Sequence, residues 1–204
     1  MLSLRTIEPH TLELLKSLMQ EPALCELRLV GGTALALQYG HRSSVDLDLF
    51  GKIDIDGYEL QSILSRDGVL KVENETKIIH QYCIDDIKVD VVNYPFEWIS
   101  PVVEEDGVRL ASPVDIAAMK VNAIEGRGTK KDFIDMYMLL RHYSLEEIIA
   151  FYQQKYPNYS TFRALRSLTY FDDAEEQFMP RMFIDDTWEE MKQLIINKVK
   201  TIKL

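Results

Sequence analysis

Three acids stand out by their spacing. Asp46 and Asp48 lie at i and i+2 within Val45-Asp46-Leu47-Asp48-Leu49-Phe50. Period-two alternation puts both carboxylates on one strand face and Val45, Leu47 and Leu49 on the other. Asp90 belongs to a second alternating run, Ile87 to Tyr94, in which Lys88, Asp90 and Val92 share a face. Two aspartates so spaced are often only the solvent face of an edge strand. Here they sit among strongly apolar residues, as in a central strand, where unpaired charge is costly unless a cation neutralises it. Magnesium suits such a pair, because it takes a couple of carboxylates and leaves its other positions to water and phosphate oxygens.

Upstream, Gly31-Gly32-Thr33 follows a short apolar run and opens a helical stretch. A glycine pair there is either a tight turn or a place where backbone N–H groups, unobstructed by Cβ, approach the phosphates of a nucleotide. Thr33 offers a hydroxyl to the same ligand. His41-Arg42-Ser43-Ser44 is either a polar loop or a source of contacts to phosphate or to the following strand. Arg127, Lys130 and Lys131 form the densest basic cluster in the chain. Positive charge at a helix N-terminus opposes the macrodipole, so phosphates or acids nearby explain it better than solvent alone. Asp132 and Asp135, about one turn apart, either complement the dipole of that helix or serve the site, and Asp132 is the stronger candidate.

The elements that must position these groups follow from periodicity. Residues 9 to 20 read as an amphipathic helix with Pro9 at its first position. Leu27 to Val30 reads as a strand, Thr33 to Tyr39 as a helix closed by Gly40, and Asp56 to Ser65 as a short helix. Val69 to Glu73, Ile78 to Ile84 and Ile87 to Tyr94 read as strands, with Asp85-Asp86 turning between the last two. Ser112-Pro113-Val114-Asp115 is a helix start by its N-cap serine, first-turn proline and acid, and that helix runs to Ile124. Gly126 and Gly128 break it, and helical periodicity resumes from Lys131 to His142. Further helices are predicted at a Ser144/Glu147 capping box, over Thr161 to Tyr170 and over Trp188 to Lys200.

The 204-residue chain is 47% apolar and 27% charged, the balance of an ordinary globular protein with one catalytic domain and a helical extension. A net charge of −10 argues against indiscriminate coating of nucleic acid, so a nucleic-acid substrate would need a local basic patch. Cys25 and Cys83 are too few for a disulfide framework or thiolate zinc site and are expected to be core thiols. The histidines have no metal-ligand spacing, and no nucleophile elbow occurs. The first 20 residues lack an unbroken apolar core, so the expectation is a cytoplasmic protein with no membrane segment.

Gly31-Gly32-Thr33-Ala34-Leu35-Ala36-Leu37 followed by His41-Arg42-Ser43-Ser44-Val45-Asp46-Leu47-Asp48-Leu49-Phe50 resembles the signature of the AbiEii/AbiGii-type toxin nucleotidyltransferases, within the DNA-polymerase-β-like superfamily. Lys120 and Lys131-Asp132-x-x-Asp135 resemble the later motifs of that family, so the likeness spans about residues 27 to 140. It implies an α+β fold, a mixed sheet flanked by helices with a helical C-terminal part. Residues 1–110 would form the nucleotidyltransferase core, and residues 111–204 a helical region completing the cleft. It also implies transfer of a nucleotide from an NTP to a hydroxyl, with the tRNA 3′ end as an acceptor in some members and a cognate antitoxin as partner. Asp46, Asp48 and Asp90 would hold two magnesium ions, with Lys120 and Asp132 as further catalytic groups. Gly31, Gly32, Thr33, Arg42, Ser43, Lys120 and Lys131 would bind the nucleotide. Lys120 has the plainer alternative of a solvated helix face. Nucleotidyl transfer to a small molecule such as an aminoglycoside, or a silent nucleotide-binding module, would use the same fold.

Overall fold

The computed structural model describes residues 1–202. They divide into two compact units, Met1–Pro95 with Val102–Ala111, and Phe96–Pro101 with the chain from Ser112 onward.

The first unit is built on one mixed sheet. Its strands are β1 (Arg28–Leu29), β2 (Leu47–Gly51), β3 (Leu70–Glu75), β4 (Ile79–Ile84), β5 (Ile87–Asn93), β6 (Val103–Glu105) and β7 (Val108–Leu110). They lie in the order β3-β4-β5-β2-β1-β7-β6. The β2–β5 and β1–β7 pairs are parallel and the others antiparallel. Leu47, Leu49, Val89 and Val91 are buried, as the alternation requires. Val45 departs from it and is 48% exposed, because pairing of β2 begins only at Leu47. Asp85 and Asp86 both adopt positive φ (46° and 65°), the backbone of a two-residue hairpin that aspartate tolerates better than most residues.

Three helices accompany the sheet, α1 (Pro9–Gln20), α2 (Gly31–Tyr39) and α3 (Gly57–Leu64). α1 buries Leu14, Leu15, Leu18 and Met19 on one stripe, each full burial contributing roughly 1.5–3 kcal/mol. Arg109 of β7 ties its end to the sheet, donating to the carbonyls of Met19 (2.8 Å), Leu24 (3.0 Å) and Leu27 (3.1 Å). This fixes the entry to β1 and hence the start of α2. The α2 helix begins at Gly31, two residues earlier than periodicity suggests, so the glycine pair is its first turn and not a turn ahead of it. Gly40 closes it with φ 69°. The thiols are not in the core. Cys25 is exposed beside the one-turn Pro22–Leu24 helix, and half-buried Cys83 stands opposite Lys88 on the more open sheet face.

The second unit is helical: α4 (Pro113–Gly126), α5 (Lys130–Leu140), α6 (Leu145–Lys155), α7 (Thr161–Ser167), α8 (Asp172–Glu175) and α9 (Trp188–Thr201). The Ser112 and Ser144 caps form as the sequence implies, Ser144 and Glu147 making a reciprocal capping box. Inside the unit, Lys155 Nζ lies 2.8 Å from Asp115 Oδ1 with both side chains fully buried. Asp115 also accepts from the Ile99 and Ser100 amides (2.9 and 3.1 Å) and from the Ser112 hydroxyl. Lys155 donates further to the Glu97 carbonyl (2.9 Å) and sits over the Trp98 ring. One ion pair therefore ties the Phe96–Pro101 segment to α4 and α6. No helix among the described residues is long and apolar enough to cross a membrane.

Candidate active site

Two of the three predicted carboxylates are brought together by strand register. Asp48 of β2 and Asp90 of β5 are Cα partners in the parallel ladder, so their side chains leave the same sheet face on strands about 4.8 Å apart. Gly31 closes in on the first of them. A Cβ on Gly31 would lie 2.5 Å from Asp48 Oδ2 and push that carboxylate aside, and the φ of +67° demands glycine. The Val30 amide donates to the Asp48 carbonyl (2.8 Å), which holds the α2 N-terminus against β2. No side chain caps that N-terminus.

Asp46 is half-buried just ahead of β2. Its carbonyl and the Ser44 hydroxyl (2.8 Å) are both within hydrogen-bond distance of the Thr33 hydroxyl, which is 1% exposed. Thr33 thus joins α2 to the strand that carries the aspartates. Arg42 is buried with Nη1 donating to the Ser43 carbonyl (2.9 Å), and Ser43 is half-buried. In this loop the contacts of Thr33, Arg42 and Ser44 orient the strand.

Lys88 completes the cluster. Its Nζ is 3.0 Å from Asp90 Oδ2, which also accepts from Gln81 Nε2 at 3.1 Å. Partial burial opposes the charge on Lys88. The hydrogen bond to Asp90 and the charges of Asp90, Asp48 and Asp46 outweigh it and raise the ammonium above its ordinary pKa. Three carboxylates therefore share the field of one lysine. Period-two alternation places Lys88 on the face of Asp90, but only the tertiary fold shows what it touches. Gln81 has no such signal, since it reaches Asp90 through the β4–β5 register.

The carboxylates suit a magnesium ion by one further observation. Asp90 Oδ1 is buried and has no hydrogen-bond partner, a state that costs about 1–3 kcal/mol, or more for a charged group. A divalent cation would fit such an oxygen as a partner. No three His, Cys, Asp or Glu side chains among the described residues are grouped tightly enough to cage a metal alone. Magnesium does not need that, since it normally keeps several non-protein oxygens. A separate cavity of about 510 Å³, lined by residues including Glu75 and His80, opens on the other sheet face, because His80 is in register with Val91 and not Asp90.

The second group of predicted residues meets inside the helical unit. Lys120 is 5% exposed, so the solvated-face alternative fails. Its Nζ lies 2.9 Å from Asp132 Oδ1 and 2.6 Å from Asp135 Oδ2. Asp132 also caps α5 through Thr129 and pairs with Arg127 at 3.0 Å. Of the basic cluster at this helix start, Arg127 is thus answered by an acid. Lys130 is buried, donating to the carbonyls of Glu175 and Gln177 over the Trp188 ring, while Lys131 is exposed.

Burial works against ionisation of Asp132. The Lys120 charge, Arg127 and the Thr129 hydrogen bond overcome it and hold the carboxyl well below the usual range. A depressed folded pKa contributes stability that is complete above the unfolded value of about 3.9 and is lost as pH falls below it. Arg127→Gln should lessen the depression, and the midpoint of acid unfolding followed by circular dichroism should move to higher pH. An unchanged midpoint would mean that Arg127 does not act on Asp132.

The chain compares with known proteins as follows. A family model described as the nucleotidyl transferase AbiEii toxin of type IV toxin–antitoxin systems matches residues 13–201. An uncharacterised Aquifex aeolicus (strain VF5) protein, aq_aa25, is 30% identical over 203 residues, 97% of this chain and 98% of the relative. The fold is similar to JHP933 from Helicobacter pylori (TM-score 0.56, 19% identity, 95% of this chain and 92% of that one). It is also similar to the nucleotidyltransferase toxin MenT4 from Mycobacterium tuberculosis H37Rv (TM-score 0.57, 12% identity, 95% and 82%). The mixed sheet and the family match define the protein as a nucleotidyltransferase. Within that class, the chain belongs to the AbiEii nucleotidyltransferase toxin family.

Proposed function

We propose that the protein transfers a nucleotide from a magnesium-bound NTP to a hydroxyl at the 3′ end of an RNA of the tRNA class, and that a cognate antitoxin restrains it. One observation carries the catalytic part: Asp48 and Asp90 in register beside Gly31, with one buried Asp90 oxygen lacking a partner. Asp46, Asp48 and Asp90 would hold the metal, which supplies two-ion chemistry when a second ion joins it. When bound, magnesium neutralises the triphosphate and acidifies the attacking hydroxyl.

The chain's own residues supply the positioning. The uncapped α2 N-terminus at Gly31-Gly32 offers amides to the phosphates, and Thr33, Arg42 and Ser43 keep that turn and Asp46 in place. Lys131, exposed in the first turn of α5, is available to a phosphate. Lys120 acts through Asp132 and Asp135, keeping α4 and α5 in register.

An RNA acceptor is favoured by a feature of the helical unit. Arg127, Arg163 and Arg166 line one pocket of about 360 Å³ with exposed Tyr170, against the two acids Glu125 and Asp173. Glu125 is already engaged by Arg163 (2.9 Å) and by the Tyr152 hydroxyl (2.7 Å). Arg127 is shared with Asp132 and Arg163 with Glu125, so phosphates would meet Arg166 beside these two paired arginines, with Tyr170 as an aromatic face for a base. The test of function incubates the protein with each labelled triphosphate, magnesium and total RNA. Label in a discrete RNA band is expected, and label only on a small hydroxylated compound would select a small-molecule acceptor instead. For the patch, Arg163→Ala/Arg166→Ala should weaken RNA binding and lower the slope of log K against log salt by about 2. An unchanged slope would exclude it as the phosphate contact. Growth arrest on expression, relieved by a neighbouring gene product, tests the antitoxin.

A further inference from the structure

We propose that Lys88 is an internal counter-ion of the aspartate cluster, occupying the charge position that the metal takes over and being displaced from Asp90 when the metal enters. The inference rests on the metal-binding reading above and concerns how the cluster is held before the metal arrives.

The geometry carries the argument. Asp48 and Asp90 bring two negative charges to one sheet face, Asp46 lies just ahead of the same strand as Asp48, and Lys88 Nζ bonds Asp90 Oδ2 at 3.0 Å. Asp48 and Asp90 are held opposite each other by the β2–β5 ladder. Carboxylates at that separation repel strongly unless neutralised. Lys88 supplies this neutralisation from within the chain. Its side chain is 44% exposed, so it has solvent to swing into, whereas that of Asp90 is only 13% exposed and stays. Gln81 steadies the same Asp90 oxygen and leaves the buried Oδ1 open. A lysine that neutralises the cluster also competes with the metal, so it trades metal affinity for stability of the metal-free protein. The consequence is a site that fills well only when the metal arrives with a triphosphate, whose own charge releases the lysine.

The experiment measures manganese(II) alone, without nucleotide, by titration calorimetry, and the melting temperature with and without the ion. Lys88→Met should bind manganese about tenfold more tightly than the parent and melt lower without metal. The metal-induced rise in melting temperature should therefore be larger. Lys88→Arg, which keeps the charge, should behave as the parent in both measurements. Asp48→Asn is the control and should lose the manganese signal. Equal or weaker manganese binding by Lys88→Met than by the parent would overturn the counter-ion role while leaving the metal site intact. Binding that Asp48→Asn does not diminish, or no binding by either the parent or Lys88→Met, would instead overturn the metal reading and this proposal with it.

Discussion

Asp46→Asn and Asp48→Asn are expected to lose both magnesium-dependent NTP binding and nucleotide transfer, whereas Asp90→Asn keeps NTP binding within a few-fold and loses transfer by about a thousandfold or more. The asymmetry follows from position. Asp48 faces the glycine-led turn of α2, where the phosphates are proposed to lie, and Asp46 leads into the same strand. Asp90 stands one strand further out, with Lys88 and Gln81 on one oxygen and nothing on the other. In the proposed reading Asp90 therefore serves the acceptor hydroxyl and not the triphosphate. Calorimetric binding of a non-hydrolysable triphosphate, run beside transfer to RNA for each variant, separates the two roles. Near-normal transfer by Asp90→Asn would remove the role given to it, and normal triphosphate binding by Asp48→Asn would remove the phosphate site.

The largest effect on stability is expected at Lys155. Replacing it by methionine leaves the fully buried Asp115 without its cation, at a cost of about 3–5 kcal/mol. That is a large part of the 5–15 kcal/mol typical of a folded domain. The amides of Ile99 and Ser100 still reach the carboxylate, so the loss comes from the unpaired charge together with the hydrogen bonds that Lys155 donates to Asp115 and to the Glu97 carbonyl. The double variant Asp115→Asn/Lys155→Met removes both charges and should recover a substantial part of the loss. Urea unfolding followed by tryptophan fluorescence suits the test, because Trp98 and Trp188 both belong to the helical unit and Trp98 packs on Lys155. If the double variant is no more stable than Lys155→Met, the pair is not an electrostatic unit.

Local chemistry made much of the fold legible. The Ser112 and Ser144 helix starts, the Gly40 stop and the Asp85-Asp86 turn are each specified within four or five residues of chain, and each forms. Asp106-Gly107, both at positive φ between β6 and β7, is an equally local hairpin signal that the strand assignment above passes over, because the flanking strands are only three residues long. The candidate site is legible to the same depth. Asp46, Asp48 and Asp90 follow from alternation, and the glycine-led helix follows from composition.

Pairing between distant segments is what the sequence by itself does not contain. The alternation of β2 and β5 determined which face each aspartate takes. Only the parallel β2–β5 register, spanning the intervening α3, β3 and β4, decided that Asp48 and Asp90 are neighbours and that Lys88 and Gln81 share their site. Lys120 shows the same division. Its place on a helix is local, but its burial against Asp132 and Asp135 depends on α4 packing on α5, and that contact turns a solvent-facing lysine into half of a buried ion pair. Caps, turns and alternation are energies of neighbouring residues and can be read in order along the chain. Register, burial and ion pairing are energies between segments, and they exist only once the segments have met.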